Sequence, residues 1–438
     1  MYRRYTIKKQ IILLIAVLIS CLLISCDFSS IRQLKPDSYY FTKTEPFEWD
    51  KDYVLAATNF PPQIQIWDPQ TNKMVHKYSL CENEEKWGKG SKRSLIMYDL
   101  FVHDGIIWFV GVGISSSLVR LECKTGEFKF IPLDISPYEV SLMPKYDNGK
   151  DAVFVASASY PQKGISIRIL DMQGNVIQKN DISYADEYLD LRTTLSKYYD
   201  NENYYTLVSK EEDLNTNSTD IFKVLQLTNT ENTTVFNVPK EKIIQEDIIN
   251  NAFGKKLQRF SYSPMLLLYN NASKNRFMEL SVQDLDYREN EKDYIRFLYK
   301  VNSLLDFDFE YTGIYYDEAD AKSFWSVEEY GDNIYITGKQ LCLIPEKEHI
   351  DGLEVAMYSK NGGKPIKTAP LLYANRVYCE MKDDCAWFSK DVYSQDINTF
   401  EWDYSDKTGI YKLDYKNQKV YEYSPDGTCL EIEWKDCN

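Results

Sequence analysis

Seven times along this chain a polar turn leads into a short apolar strand, and a second, alternating strand then runs into another turn. The first strands fall at residues 53–56, 106–110, 152–155, 204–208, 265–268, 334–337 and 386–388. The second fall at 64–67, 118–121, 165–170, 221–227, 295–301, 353–357 and 410–413. With Val54, Ile107, Val153, Tyr205, Leu266, Tyr335 and Trp387 as markers, the units are spaced 46 to 69 residues apart. Turn residues punctuate them, as at Asp104-Gly105, Lys124-Thr125-Gly126, Gly331-Asp332 and Asn361-Gly362-Gly363, which suit tight hairpins. A single small sheet cannot bury both of its faces, whereas a ring of such sheets stacks face to face. An all-β chain of repeated blades is therefore expected. A pair of β-sandwiches is the competing arrangement, but sandwich strands need not recur in order at a steady interval.

The pattern resembles bacterial β-propellers of the WD40-like and quinoprotein-like kind, over residues 45–438. That resemblance implies seven four-stranded blades, with six or eight as alternatives. No Gly-His…Trp-Asp signature repeats, and Trp67-Asp68 is its lone echo. In such rings strands from both termini share one blade, and residues 429–434 are the expected closing strand. One stretch breaks the strand pattern. In residues 240–257, Ile243, Ile244, Ile248, Ile249, Phe253 and Leu257 follow a helical period, so a helical insertion is expected between the fourth and fifth blades.

The amino terminus reads as an export signal. Arg3, Arg4, Lys8 and Lys9 precede an apolar run from 11 to 19. As a helix, that run and its flank reach about 14 to 20 Å, short of a hydrocarbon core of about 30 Å. It ends in Leu23-Ile24-Ser25-Cys26, which resembles the lipobox of bacterial lipoproteins. The resemblance implies cleavage between Ser25 and Cys26, lipid (thioether-linked, with palmitate among the acyl chains) on the Cys26 thiol, and a location on the extracytoplasmic side of the cell envelope. Residues 1–25 are then the signal peptide, 26–44 a polar tether and 45–438 the propeller.

Without residues 1–25 the chain keeps 47 basic against 66 acidic residues, a net charge of −19, which excludes nucleic acid as a natural partner. Seven cysteines lie beyond Cys26. Cys379 with Cys385 and Cys429 with Cys437 are local disulfide candidates outside the cytoplasm. The three histidines, His76, His103 and His349, stand in different units, and no nucleophile elbow, phosphate loop or zinc helix motif is present. Asp306, Asp308 and Glu310 alternate as on one strand face, with Asp317 and Asp320 soon after, the type of oxygen cluster that binds Ca²⁺. The expectation is a binding or scaffolding lipoprotein for a protein or glycan, without a cofactor. The alternative is a glycoside hydrolase or lyase using carboxylates in the central funnel. The 35 tyrosines supply flat, hydrogen-bonding faces for either role.

Overall fold

The computed structural model describes residues 44–437 except 60–61, 81–95, 113–115, 148, 160–163, 184–197, 201–202, 210–221, 229–234, 268–275, 287–293, 318–323, 345–347, 373, 383, 391–392, 397–401 and 405–407. Seven antiparallel sheets follow one another as the blades of a seven-bladed β-propeller. The first is β1 (Val54–Asn59), β2 (Pro62–Asp68) and β3 (Lys73–Ser79), three strands among the described residues. The second is β4 (Ile96–His103), β5 (Ile106–Val112), β6 (Ser116–Glu122) and β7 (Glu127–Ile131). The third is β8 (Glu139–Asp147), β9 (Lys150–Ser159), β10 (Gly164–Asp171) and β11 (Val176–Ser183), and the fourth β12 (Tyr198–Asp200), β13 (Asn203–Ser209), β14 (Phe222–Gln226) and β15 (Val235–Val238). Two helices, α1 (Lys240–Ile243) and α2 (Glu246–Phe253), precede the fifth blade, β16 (Phe260–Leu267), β17 (Phe277–Asp284), β18 (Tyr294–Ser303) and β19 (Asp308–Asp317). The sixth is β20 (Phe324–Tyr330), β21 (Asn333–Ile344), β22 (Glu348–Ser359) and β23 (Lys367–Leu372). In the seventh, β24 (Ala374–Lys382) and β25 (Cys385–Lys390) are followed by an inserted hairpin, β26 (Tyr393–Asp396) and β27 (Trp402–Tyr404), before β28 (Gly409–Asp414), β29 (Lys419–Tyr423) and β30 (Cys429–Ile432).

Period-two alternation makes the ring. On β5, Ile107 and Phe109 pack toward the first blade while Trp108 and Val110 pack toward the third. On β22, Leu353, Val355 and Met357 face the seventh blade, and Ala356 and Tyr358 face the fifth. The apolar interior is accordingly divided into seven clusters, one at each seam between neighbouring blades. Each fully buried Leu or Phe in them stabilises the fold by about 1.5–3 kcal/mol. The helices join this scheme: Ile243, Ile249, Phe253 and Leu257 lie in the seam between blades four and five. The expected single helix is broken, because Ile244 and Gln245 are extended, and Gly254 in the left-handed region ends α2.

The seventh seam closes the ring. Val54, Ala56 and Trp67 meet Cys385, Trp387, Ile410 and Tyr423. Within it the Trp67 indole donates to Gln65 at 3.1 Å and the Gln65 amide to Gln63 at 3.2 Å, so the polar groups of β2 are satisfied in series. The outer part of the blade also contacts the next blade's turn, as Met74 N–H donates to the Pro425 carbonyl at 3.2 Å. The fifth and sixth blades meet in the same way: a Cβ on Gly362 would sit 2.6 Å from Gly313 Cα, and Gly363 N–H donates to the Gly313 carbonyl.

This closure corrects the expected exchange of terminal strands. β30 pairs with β29 within the seventh sheet, and β31 (Lys435–Asp436) turns back onto β23 of the sixth, so residues 429–434 add nothing to the first blade. The same path separates one of the expected cysteine pairs, Cys429 and Cys437. Cys429 lies opposite Tyr423 while Cys437 lies beside Thr368, and both are free thiols. Cys379 and Cys385 lie on the paired strands β24 and β25, and the Cys379 side chain lies outside the described residues. Among the described residues no helix is long and apolar enough to cross a membrane.

Candidate functional site

Antiparallel alternation gives the ring two unlike ends. One carries tight turns, such as the hairpin at Asp104 and Gly105, both at positive φ (48° and 70°) as a type I′ turn requires. The strands open at the other end into most of the longer connections, including the helical insertion and residues 391–408. Loops gathered at one end of a rigid ring are where binding residues concentrate.

That end is further built up between the sixth and seventh blades. β21 and β22 pair over twelve positions, from Asn333↔Ser359 to Ile344↔Glu348, well beyond the length of their neighbour β23. The inserted hairpin docks on this extension: Glu348 pairs with Asp396 and His349 with Gln395, while β26 and β27 pair Gln395↔Trp402 and Tyr393↔Tyr404. The backbone thus brings His349, Tyr393, Trp402 and Tyr404, from two blades, into one small projecting sheet. The base of the hairpin is held by a Lys390–Glu422 ion pair, with the Tyr411 hydroxyl 3.1 Å from Glu422 and 2.8 Å from the Leu372 carbonyl.

Below it, the seam between blades five and six contains buried charge. Glu279 is only 3% exposed, accepts a bond from the Ser281 hydroxyl at 2.9 Å and lies 3.5 Å from Arg296 Nε. Arg296 Nη1 is buried with no hydrogen-bond partner, and its guanidinium lies 5.1 Å from the Tyr294 ring. Glu354, 8% exposed and alternating with Ala356 and Tyr358, faces the same seam from the sixth blade. On the other face of the fifth blade the Tyr299 and Tyr311 rings meet at a tilt, 5.5 Å apart, beside Phe297 and the exposed Tyr315. Burial pushes the Tyr311 hydroxyl up to about 12, so it remains a donor throughout the neutral range.

The residues named from sequence are placed differently. Asp306 does not share a strand face with Asp308 and Glu310, because Phe307 takes a positive φ of 55° in the turn and β19 begins only at Asp308. Asp306 caps that turn, accepting from Ser303 at 2.8 Å, and Glu310 pairs across to Lys300. Asp317 ends β19, and Asp320, like Ser25 and Cys26, lies outside the described residues. Among the described residues no three His, Cys, Asp or Glu side chains converge as a metal set. His103 sits at its hairpin, 2.9 Å from Asp151 of the third blade. Of the inner-strand acids, Asp99 accepts from the backbone of Leu100 and Val140, which ties blade two to blade three. Glu279 and Glu354 carry no sequence signal of their own, since β17 also holds Asp284 and β22 also holds Glu348 and Asp351.

No family model and no curated protein matches this chain. Among solved structures it is similar to the dihydro-heme d1 dehydrogenase NirN in complex with DHE, at 10% identity over 89% of this chain and 67% of that one, with a TM-score of 0.37. It is similar to the polysaccharide lyase Uly1 at 10% identity over 78% and 90%, TM-score 0.35, and to the Dos1 propeller at 9% identity over 88% and 92%, TM-score 0.35.

Proposed function

We propose that this propeller is a binding or scaffolding protein, anchored to a bacterial membrane by lipid on Cys26, which engages a protein or glycan partner through the elaborated end of the ring. The observation that carries the reading is the projecting sheet of β21, β22, β26 and β27. A ring needs neither the extension nor the inserted hairpin to close, and the hairpin brings Tyr and Trp positions to an end already rich in long connections. Aromatic residues on a rigid support are favoured at recognition surfaces because they offer large contact area at low entropy cost. The lipobox at Leu23-Ile24-Ser25-Cys26 supports the anchor.

The test is affinity capture from solubilised envelope with the full chain and with a variant in which residues 391–408 are replaced by a short turn. Recovery of a protein or glycan by the full chain and its loss with the variant is the expected result. Recovery of nothing by either, or equal recovery by both, sinks the reading. Metabolic palmitate labelling that vanishes in Cys26→Ala checks the anchor separately.

A further inference from the structure

Residues 44–50 run without regular structure across the turns of blade two at its seam with blade one. Thr44 N–H donates to the Gly126 carbonyl at 2.9 Å and Phe47 N–H to the Cys123 carbonyl at 2.8 Å. Two glycines admit this strap: a Cβ on Gly126 would lie 2.2 Å from the Thr44 carbonyl oxygen, and one on Gly105 3.2 Å from Trp49 Cβ. An aromatic cluster forms beneath it. Phe47 stacks on the His76 imidazole at 5.1 Å, His76 meets the Tyr78 ring edge-on at 4.5 Å, and Phe47 and Trp49 both pack on Tyr53. His76 is the ionisable centre of the cluster. It bonds the Glu45 backbone, and its Nε2 is buried with no hydrogen-bond partner.

We propose that the strap of residues 44–50 is an acid-released latch, docked by the neutral form of His76 and freed when that ring gains a proton. The proton would enter at Nε2, where the docked strap provides no acceptor and the Phe47 and Tyr78 rings exclude water. Burial holds the imidazole below its ordinary value, against the opposing pull of the Glu45 backbone and carboxylate. The other groups facing it keep their charge state near neutrality. Burial raises the Tyr78 hydroxyl strongly and the Cys123 thiol to about 11, and burial with a bond to Asp50 raises Tyr53 to about 12. A histidine whose docked value is depressed favours docking above its free value of about 6.5, and that advantage is lost as pH falls toward the docked value. Over that interval the docking equilibrium weakens about tenfold per pH unit. Release frees seven residues, about 23 Å when extended, and uncovers the aromatic face of the seam.

The test is hydrogen exchange of the full chain, corrected for intrinsic rates, at pH 7.5, 6 and 5. Protection of the Thr44 and Phe47 amides is expected to fall tenfold or more across that range, while the β5 and β6 amides stay constant. In His76→Phe, which keeps the stack but cannot ionise, and in His76→Gln, strap protection is expected to be independent of pH. A flat profile in the native chain, or the same fall in either folded variant, overturns the proposal.

Discussion

Asp68 shows how much one side chain can hold at a blade corner. It ends β2, and its carboxylate accepts from the Gln70 N–H, the Thr71 hydroxyl and Lys51 Nζ, each at 2.9 Å. Burial pulls its pKa upward, but the bonds from Lys51, Gln70 and Thr71 prevail and hold it at about 2. A depressed carboxylate adds stability that is complete above the ordinary value of 3.8 and is lost as pH falls through about 2. Asp68→Asn is expected to cost about 1–2 kcal/mol at pH 7, the worth of charge-assisted bonds left unmade. Urea titrations of both proteins should show that gap closing between pH 4 and pH 2. In the third blade Arg168 is built by the same rule: it bonds Asp134 at 2.7 Å and Asp181 at 2.8 Å, and both carboxylates lie below their usual range because of its guanidinium.

At the scale of elements, the two strands read from each repeat are, outside the first and fifth blades, the second and third of their blade. Those strands are buried on both faces, so apolar residues dominate them, as in β1 and β2 where every residue is buried. Outer strands alternate exposed and half-buried residues, as β3 and β7 do, and carry too little apolar signal to stand out. In the first blade they are the first two of its three described strands, and in the fifth residues 265–267 belong to the first strand, β16, while the second is β17. Helical period likewise revealed the insertion but not its break at Ile244 and Gln245, which depends on backbone geometry. The projecting sheet was illegible, because pairing of β22 with β26 joins segments more than forty residues apart. Tertiary burial decides what α2 contributes. Phe253→Ala should destabilise the protein by about 3–4 kcal/mol, since its ring is buried in the seam between two blades. A substitution worth under 1 kcal/mol by urea denaturation would mean that the insertion is dispensable to that seam.

For the molecule as a whole, the decisive contact is the one between its first and last blades. Because β30 and β31 take no part in it, a chain ending after Thr428 is expected to stay folded and to unfold in one cooperative transition. Trp67→Ala, by contrast, hollows the closing seam and should cost about 3–5 kcal/mol. If the truncated chain proves the less stable of the two, terminal strands matter to closure after all. The faces that meet there, one bearing Trp67 and the other Trp387, are complementary but not alike. Two such faces at the ends of an open stack would be sticky ends, and copies of the chain would add head to tail into a filament. Seven blades bring them together within one chain, where the high effective concentration of a covalently linked partner favours the ring over any neighbour. The protein is, in that sense, a polymer that has bound itself.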